Sequence, residues 1–243
     1  MRIDIRTDAT IFGTRSYDLL CGEDRAGSLS WDGRGSFEAE LLGRRVRIHQ
    51  LDALERARLL GKGMRPLAVE GDLSGSLSTL REKDGLVGSC VSYVLDAGGS
   101  AVCGYPNPGG GRGWRMSVYL DGEQIALAKR ASDPVHTPDG FQIVAPDGDA
   151  ALRALALVVY DVYASYLEND GGAAGPLGFR EVRLFGKRAR ELDDPLFEAR
   201  CEGELEDGAA DSGEDAAQPE SAADRAARIA QGFAVKGDIG HRG

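Results

Sequence analysis

The run "DAALRALALVVYDVYASYLEND", Asp149 to Asp170, narrows what this chain can become more than any other stretch. From Leu152 to Tyr163 the apolar residues fall on every side of a helix, interrupted only by Arg153 near its start and by Asp161. An amphipathic surface helix shows one apolar stripe, whereas a helix that is apolar all round is buried on all sides. The apolar run is about a dozen residues, well short of the ~20 needed to span hydrocarbon. Its flanks, Asp149 and Glu168-Asn169-Asp170, are acidic and anchor poorly at a membrane. The stretch therefore predicts an interior helix and no transmembrane segment. A helix held between two packed layers is the alternative way to bury it.

The residues before that helix decide between those arrangements. "SYDLLCGEDRAGSLSW" reads as two short strands around Gly22-Glu23-Asp24, and "SFEAELLGRRVRIHQL" repeats the form with its reversal at Gly43. "LVGSCVSYVLDAGGSAVCGY" turns at Asp96-Ala97-Gly98-Gly99. "WRMSVYLDGEQIALAKR" turns at Asp121-Gly122, the strongest short hairpin signal in the chain. "DGFQIVAPDGD" predicts a further strand ending at Pro146-Asp147-Gly148. A short helix is expected near residues 52–60, where Asp52 and Glu55 have capping-box spacing. Behind the long helix only "FREVRLFG", Phe179 to Gly186, looks like a strand. The 34 glycines, about twice the roughly 7% of average proteins, suit a chain of many tight turns. One apolar helix placed late in a many-stranded antiparallel chain fits a barrel that uses the helix as its core. Closing the sheet also removes its exposed edges.

Particular residues in this order carry a family resemblance. The segment "W-x-x-x-V-Y-L-D-G-E-x-I-A", Trp114 to Ala126, is followed by "G-F-Q-I-V", Gly140 to Val144, and then by "ALALVVYDVYASY", Ala154 to Tyr166. This resembles the Tubby-like superfamily, which includes the LURP-one-related proteins and the phospholipid scramblases, and looks most like its small bacterial members. The resemblance covers about residues 10–190. It implies an α+β, mostly β fold: a closed antiparallel barrel of about twelve strands around a central apolar helix, here about residues 150–168. The chain departs from the family in the insertion near residues 52–60 and in the loop "GYPNPGGGRGW". It carries no scramblase-type calcium loop and no palmitoylated cysteine cluster, and no phosphoinositide pocket can be placed on it. Those activities are therefore not carried over.

Charge divides the chain in two. Residues 1–190 hold 25 acids against 24 bases, whereas residues 191–228 hold 13 acids against three bases. The formal charge of −10 thus belongs to the C-terminal part. A barrel domain is expected at 1–190. An acidic, largely disordered tail is expected at 191–243, with a short helix at about 221–232, where "ESAADRAARIAQGF" offers Ser221 as N-cap. Such a tail argues against its own nonspecific adhesion to nucleic acid or anionic membrane, and no nucleic acid is expected as a partner.

Catalytic motifs are scarce. His49, His136 and His241 show no metal-ligand spacing, and Cys21, Cys90, Cys103 and Cys201 form no Cys-x-x-Cys, so no metal site and no cofactor are expected. "GGGRG", Gly109 to Gly113, lacks the lysine and following helix of a phosphate loop. The serines of "LSGSLS" read as turn chemistry, and no Gly-x-Ser-x-Gly elbow is present. "MRIDIRTDATIFG" has no basic region followed by an apolar one, so no secretory signal is read there. Free thiols in a reducing cytoplasm follow from these features, with a Cys90–Cys103 disulfide as the alternative.

The best binding candidate is the strand "GRRVRIH" with Arg44, Arg45, Arg47 and His49, ahead of the more scattered Arg115 and Lys129-Arg130. Arg45, Arg47 and His49 project from one face at period two, close enough to grip a phosphate or an acidic partner. The competing reading is a solvated face whose arginines pair with Glu38 and Glu40 on the preceding strand. Asp161, inside the apolar helix, must be hydrogen-bonded or neutralised, with backbone or an arginine at the barrel mouth as its expected partner. The expected function is a non-enzymatic cytoplasmic binding or adaptor module that recognises a lipid headgroup or apolar ligand. The alternatives are a small hydrolase or transferase with a site assembled from distant residues, and a scaffold that recruits a protein partner through the acidic tail.

Overall fold

A computed structural model describes residues 1–11, 14–32, 35–51, 64–84, 88–107, 114–130, 140–170, 192, 194 and 196–203. The expected helix at 52–60, the glycine-rich loop at 108–113, the strand at 179–186 and the helix at 221–232 lie outside these residues, as do His136 and His241. The first five strands are β1 (Arg2–Ile11), β2 (Thr14–Cys21), β3 (Asp24–Trp31), β4 (Phe37–Leu41) and β5 (Arg44–Gln50). They continue as β6 (Met64–Gly71), β7 (Gly75–Asp84), β8 (Gly88–Ala97) and β9 (Ser100–Asn107). The last three are β10 (Arg115–Leu120), β11 (Glu123–Arg130) and β12 (Phe141–Val144). A long helix, α1 (Gly148–Asp170), and a short one, α2 (Phe197–Cys201), follow.

Every strand pairs antiparallel with its sequence neighbours, and β1 pairs with β12 to close a twelve-stranded barrel. The hairpin signals are realised as tight turns. Leu42-Gly43, Gly98-Gly99 and Asp121-Gly122 each place two successive residues at positive φ. That geometry matches the twist of the flanking strands and favours glycine in the second position. Along the strands the pleat sends alternate side chains inward: Val46 and Ile48 of β5 are buried while Arg45 and Arg47 are exposed.

Helix α1 occupies the lumen. Asp147 caps its start by accepting the amide of Ala150 at 2.8 Å, satisfying one of the donors that a helix N-terminus leaves open. Residues 154 to 160 are all buried, at most 2% exposed, so every side of this stretch meets the wall. The helix packs mainly against β8 and β11, with further contacts to β12, β4 and β9. Gly104 of β9 makes room for it: a Cβ there would stand 2.9 Å from Met116 Sδ and 3.2 Å from Leu157 Cδ1. On the opposite side, Leu29, Phe37 and Ile48 face Leu155 and Val159 across a void of about 10 Å³ lined only by apolar side chains. A void of that size is at the lower limit for a single water, and it offers no polar partner to hold one.

The chain continues on the barrel beyond residue 190. Leu192 and Phe197 are buried, and α2 lies against β11. The physical cause is a turn followed by bulky residues, since Asp194 accepts the amide of Leu196 at 2.9 Å and directs Phe197 onto the wall.

Candidate binding surface

Strand β5 places its basic residues by register. Arg45 stands opposite Glu40 and Arg47 opposite Glu38 on β4, while Arg47 also faces Glu70 on β6. The Arg45 Nε donates to Glu40 Oε2 at 2.9 Å, and Arg47 Nε lies 3.8 Å from Glu38 Oε1. His49 Nε2 lies 3.1 Å from Glu70 Oε1 but without the alignment of a hydrogen bond. The main chain is pinned too, because Asp72 accepts the amide of Arg45 at 2.6 Å. Thus Arg45, Arg47 and His49 share the outer face as period two predicts, and each has a carboxylate beside it. The outcome is a ladder of alternating sign rather than a cationic patch.

Arg44 belongs elsewhere. Its Nη1 donates to Asp149 Oδ1 at 2.7 Å, and Arg153 Nε donates to Asp149 Oδ2 at 2.6 Å. This triad ties β5 to the first turn of α1 at one end of the barrel. Burial alone would push the Asp149 carboxyl up, but hydrogen bonds and charge from Arg44 and Arg153 outweigh it and hold the group below the usual carboxylate range. Asp149 was legible only as an acidic residue at a helix start; nothing in the spacing told that Arg44 would leave its neighbours for it.

Two polar contacts join the later half of α1 to the wall. Tyr93 of β8 donates to Asp161 Oδ1 at 2.7 Å, and the hydroxyls of Tyr160 and Thr79 of β7 lie 2.9 Å apart. Tyr93 and Tyr160 also meet edge to face, ring centres 5.2 Å apart. A tyrosine hydroxyl on the wall is thus one partner of the Asp161 carboxyl group. The effect is to fix the rotation and depth of α1 inside the barrel. Among the serines of "LSGSLS", Ser74 Oγ donates to the Gly71 carbonyl at 3.0 Å, which is turn chemistry as read from the sequence.

The four cysteines are free thiols. Cys103 stands opposite Val94 in the β8–β9 ladder, not opposite Cys90, which corrects the alternative of a disulfide between them. Among the described residues, no group of three or more His, Cys, Asp or Glu could hold a metal ion, and no helix is long and apolar enough to cross a membrane. The chain matches no family model, no curated protein and no solved structure.

Proposed function

We propose that this chain is a non-enzymatic binding or adaptor module that works from the outside of its barrel. The filled lumen carries this reading. The void of about 10 Å³ beside α1 has no room for an apolar ligand, so recognition falls to the outer wall. The order of elements, twelve strands and then an interior helix, supports membership of the Tubby-like superfamily. Four free thiols support a reducing cytoplasm as its location.

The β4–β5–β6 ladder is the contact face. Arg45, with its side chain 80% exposed, and Arg47, with 56%, are held by ion pairs that contribute about 0–1 kcal/mol each and exchange readily for a partner's charges. Because Glu38, Glu40 and Glu70 interleave with them, the face suits a protein surface carrying both signs better than a uniformly anionic membrane.

Flotation with neutral and with anionic vesicles, at low and at physiological salt, tests this reading. An Arg45→Ala/Arg47→Ala variant runs alongside. The expected result is no retention on either vesicle at physiological salt. Salt-sensitive binding to anionic vesicles alone, lost in the double variant, would overturn the protein-partner reading in favour of headgroup recognition.

A further inference from the structure

A row of side chains on the outside of the barrel is as dry as the core. The register aligns Tyr105 of β9 with Ser117 of β10, Ser117 with Leu127 of β11, Leu127 with Val144 of β12, and Val144 with Arg2 of β1. Their strand neighbours, among them Gly104, Met116, Ala128 and Ile143, point to the lumen, so by the two-residue period this row points outward. An outer row of a barrel is normally wet. Here Tyr105 and Ser117 are 6% and 4% exposed, and Leu127 and Val144 are 0% exposed.

Leu192 and residues 196–203 of the C-terminal segment lie against this face of the barrel. Leu192 packs with Tyr105 and Cys90, and the Tyr119 hydroxyl donates to its carbonyl at 2.7 Å. Phe197 is buried, and Glu198 pairs with Arg2 at 2.7 Å and with Lys129. Glu202 adds a second pair to Arg2. The five residues of α2 are too few to hold a helix in water, so the wall provides their order. The segment is thus a ligand of the barrel that happens to be tethered to it.

We propose that the outer face of β9–β12 is a peptide-docking site, occupied in cis by residues 192–203 and open to the same segment from a second copy of the chain. The complementarity is specific to this segment: two apolar anchors, Leu192 and Phe197, and an acidic helix face set against Arg2 and Lys129. Exchange between two copies preserves every one of these contacts. Residues 171–191 separate the segment from the end of α1. A stretch of that length reaches up to about 70 Å when extended, ample for a neighbouring barrel. Covalent attachment gives the cis segment an advantage over a segment from a second copy in dilute solution. The free site is therefore rare in dilute protein, and exchange grows with concentration.

The test uses the full chain and a fluorescent peptide of residues 192–203 under reducing conditions. Phe197→Ala/Glu198→Ala vacates the site; its folding is checked by circular dichroism, and Glu198→Ala alone serves where the double variant fails to fold. The peptide is expected to bind the vacated chain and to bind wild type at least about tenfold more weakly, because the tethered segment competes. Adding Arg2→Ala/Lys129→Ala weakens binding by up to about tenfold. Sedimentation of wild type over rising concentration is expected to show a dimer that Phe197→Ala/Glu198→Ala removes. No peptide binding by a folded, vacated chain overturns the docking site, as does equal binding to wild type. A wild type that stays monomeric throughout overturns the exchange between copies.

Discussion

Replacing Tyr93 by phenylalanine takes one oxygen out of the barrel interior and leaves the ring in place. Tyr93 is 1% exposed and Asp161 is 9% exposed, so water cannot readily substitute for the lost donor. The ring keeps its edge-to-face contact with Tyr160, which removes any packing change from the comparison. The substitution removes the hydrogen bond, 2.7 Å long, to the Asp161 carboxyl group. A neutral hydrogen bond contributes about 0.5–1.5 kcal/mol and one to a charged group about 1.5–3 kcal/mol, so Tyr93→Phe is expected to destabilise by about 2 kcal/mol. For a chain of this size that is about 4–8 °C in Tm. Urea unfolding of wild type, Tyr93→Phe, Asp161→Ala and the double variant measures it, with an unchanged m-value as the condition for comparison. In the Asp161→Ala background Tyr93→Phe should cost less, by a coupling of about 1–2 kcal/mol. A loss below about 0.5 kcal/mol, or additivity within that margin, would refute the claim that this bond anchors α1.

Gly27 and Gly43 should respond differently to alanine. A Cβ on Gly27 would fall 1.8 Å from the Glu40 carbonyl oxygen and forces the β3–β4 pairing to shift, whereas one on Gly43 meets open space and suffers only its φ of +78°. Thermal melts are expected to show about 1–2 kcal/mol lost at Gly43 and clearly more at Gly27. Acid should loosen the Arg44–Asp149–Arg153 triad. A carboxylate whose folded pKa is depressed stabilises the fold above its unfolded pKa and loses that contribution as pH falls through the folded value. Arg44→Ala is therefore expected to move the acid-unfolding midpoint to higher pH and Arg47→Ala to leave it near wild type, as an acid titration followed by circular dichroism will show. Thiol titration of the denatured chain without reductant should count all four cysteines; a count of two would restore the disulfide.

The fold was legible where the signals are local. Asp121-Gly122 and Gly98-Gly99 mark hairpins because a two-residue turn demands positive φ at both positions, and the all-round apolar face of α1 marks an interior helix. The candidate surface was half legible. Alternation put Arg45, Arg47 and His49 on one face, and Glu38 and Glu40 follow as partners once β4 and β5 form a hairpin. Contacts between distant positions left no trace. Arg44 and Asp149 are 105 residues apart and Tyr93 and Asp161 are 68 apart, with nothing in either neighbourhood to name the partner. The docked segment did leave a signal. Ile125 to Ala128 is apolar at every position, the pattern of a strand covered on both faces, although a barrel wall alone would cover one.

The closure of β1 on β12 joins residues about 140 apart, as in the pairing of Ile3 with Ile143. The helix that fills the lumen comes after all twelve strands in the chain. During synthesis the strands must therefore wait, without their core and with two free edges, until α1 has been made. A sheet in that condition is open to pairing with other chains. Assembly then requires the sheet to wrap the helix as it closes, a search dominated by long-range contacts and accordingly slow. Once closed, the barrel cannot release α1 without parting a seam, so the interior that is last to assemble is held by the same hydrogen bonds that join the first strand to the last.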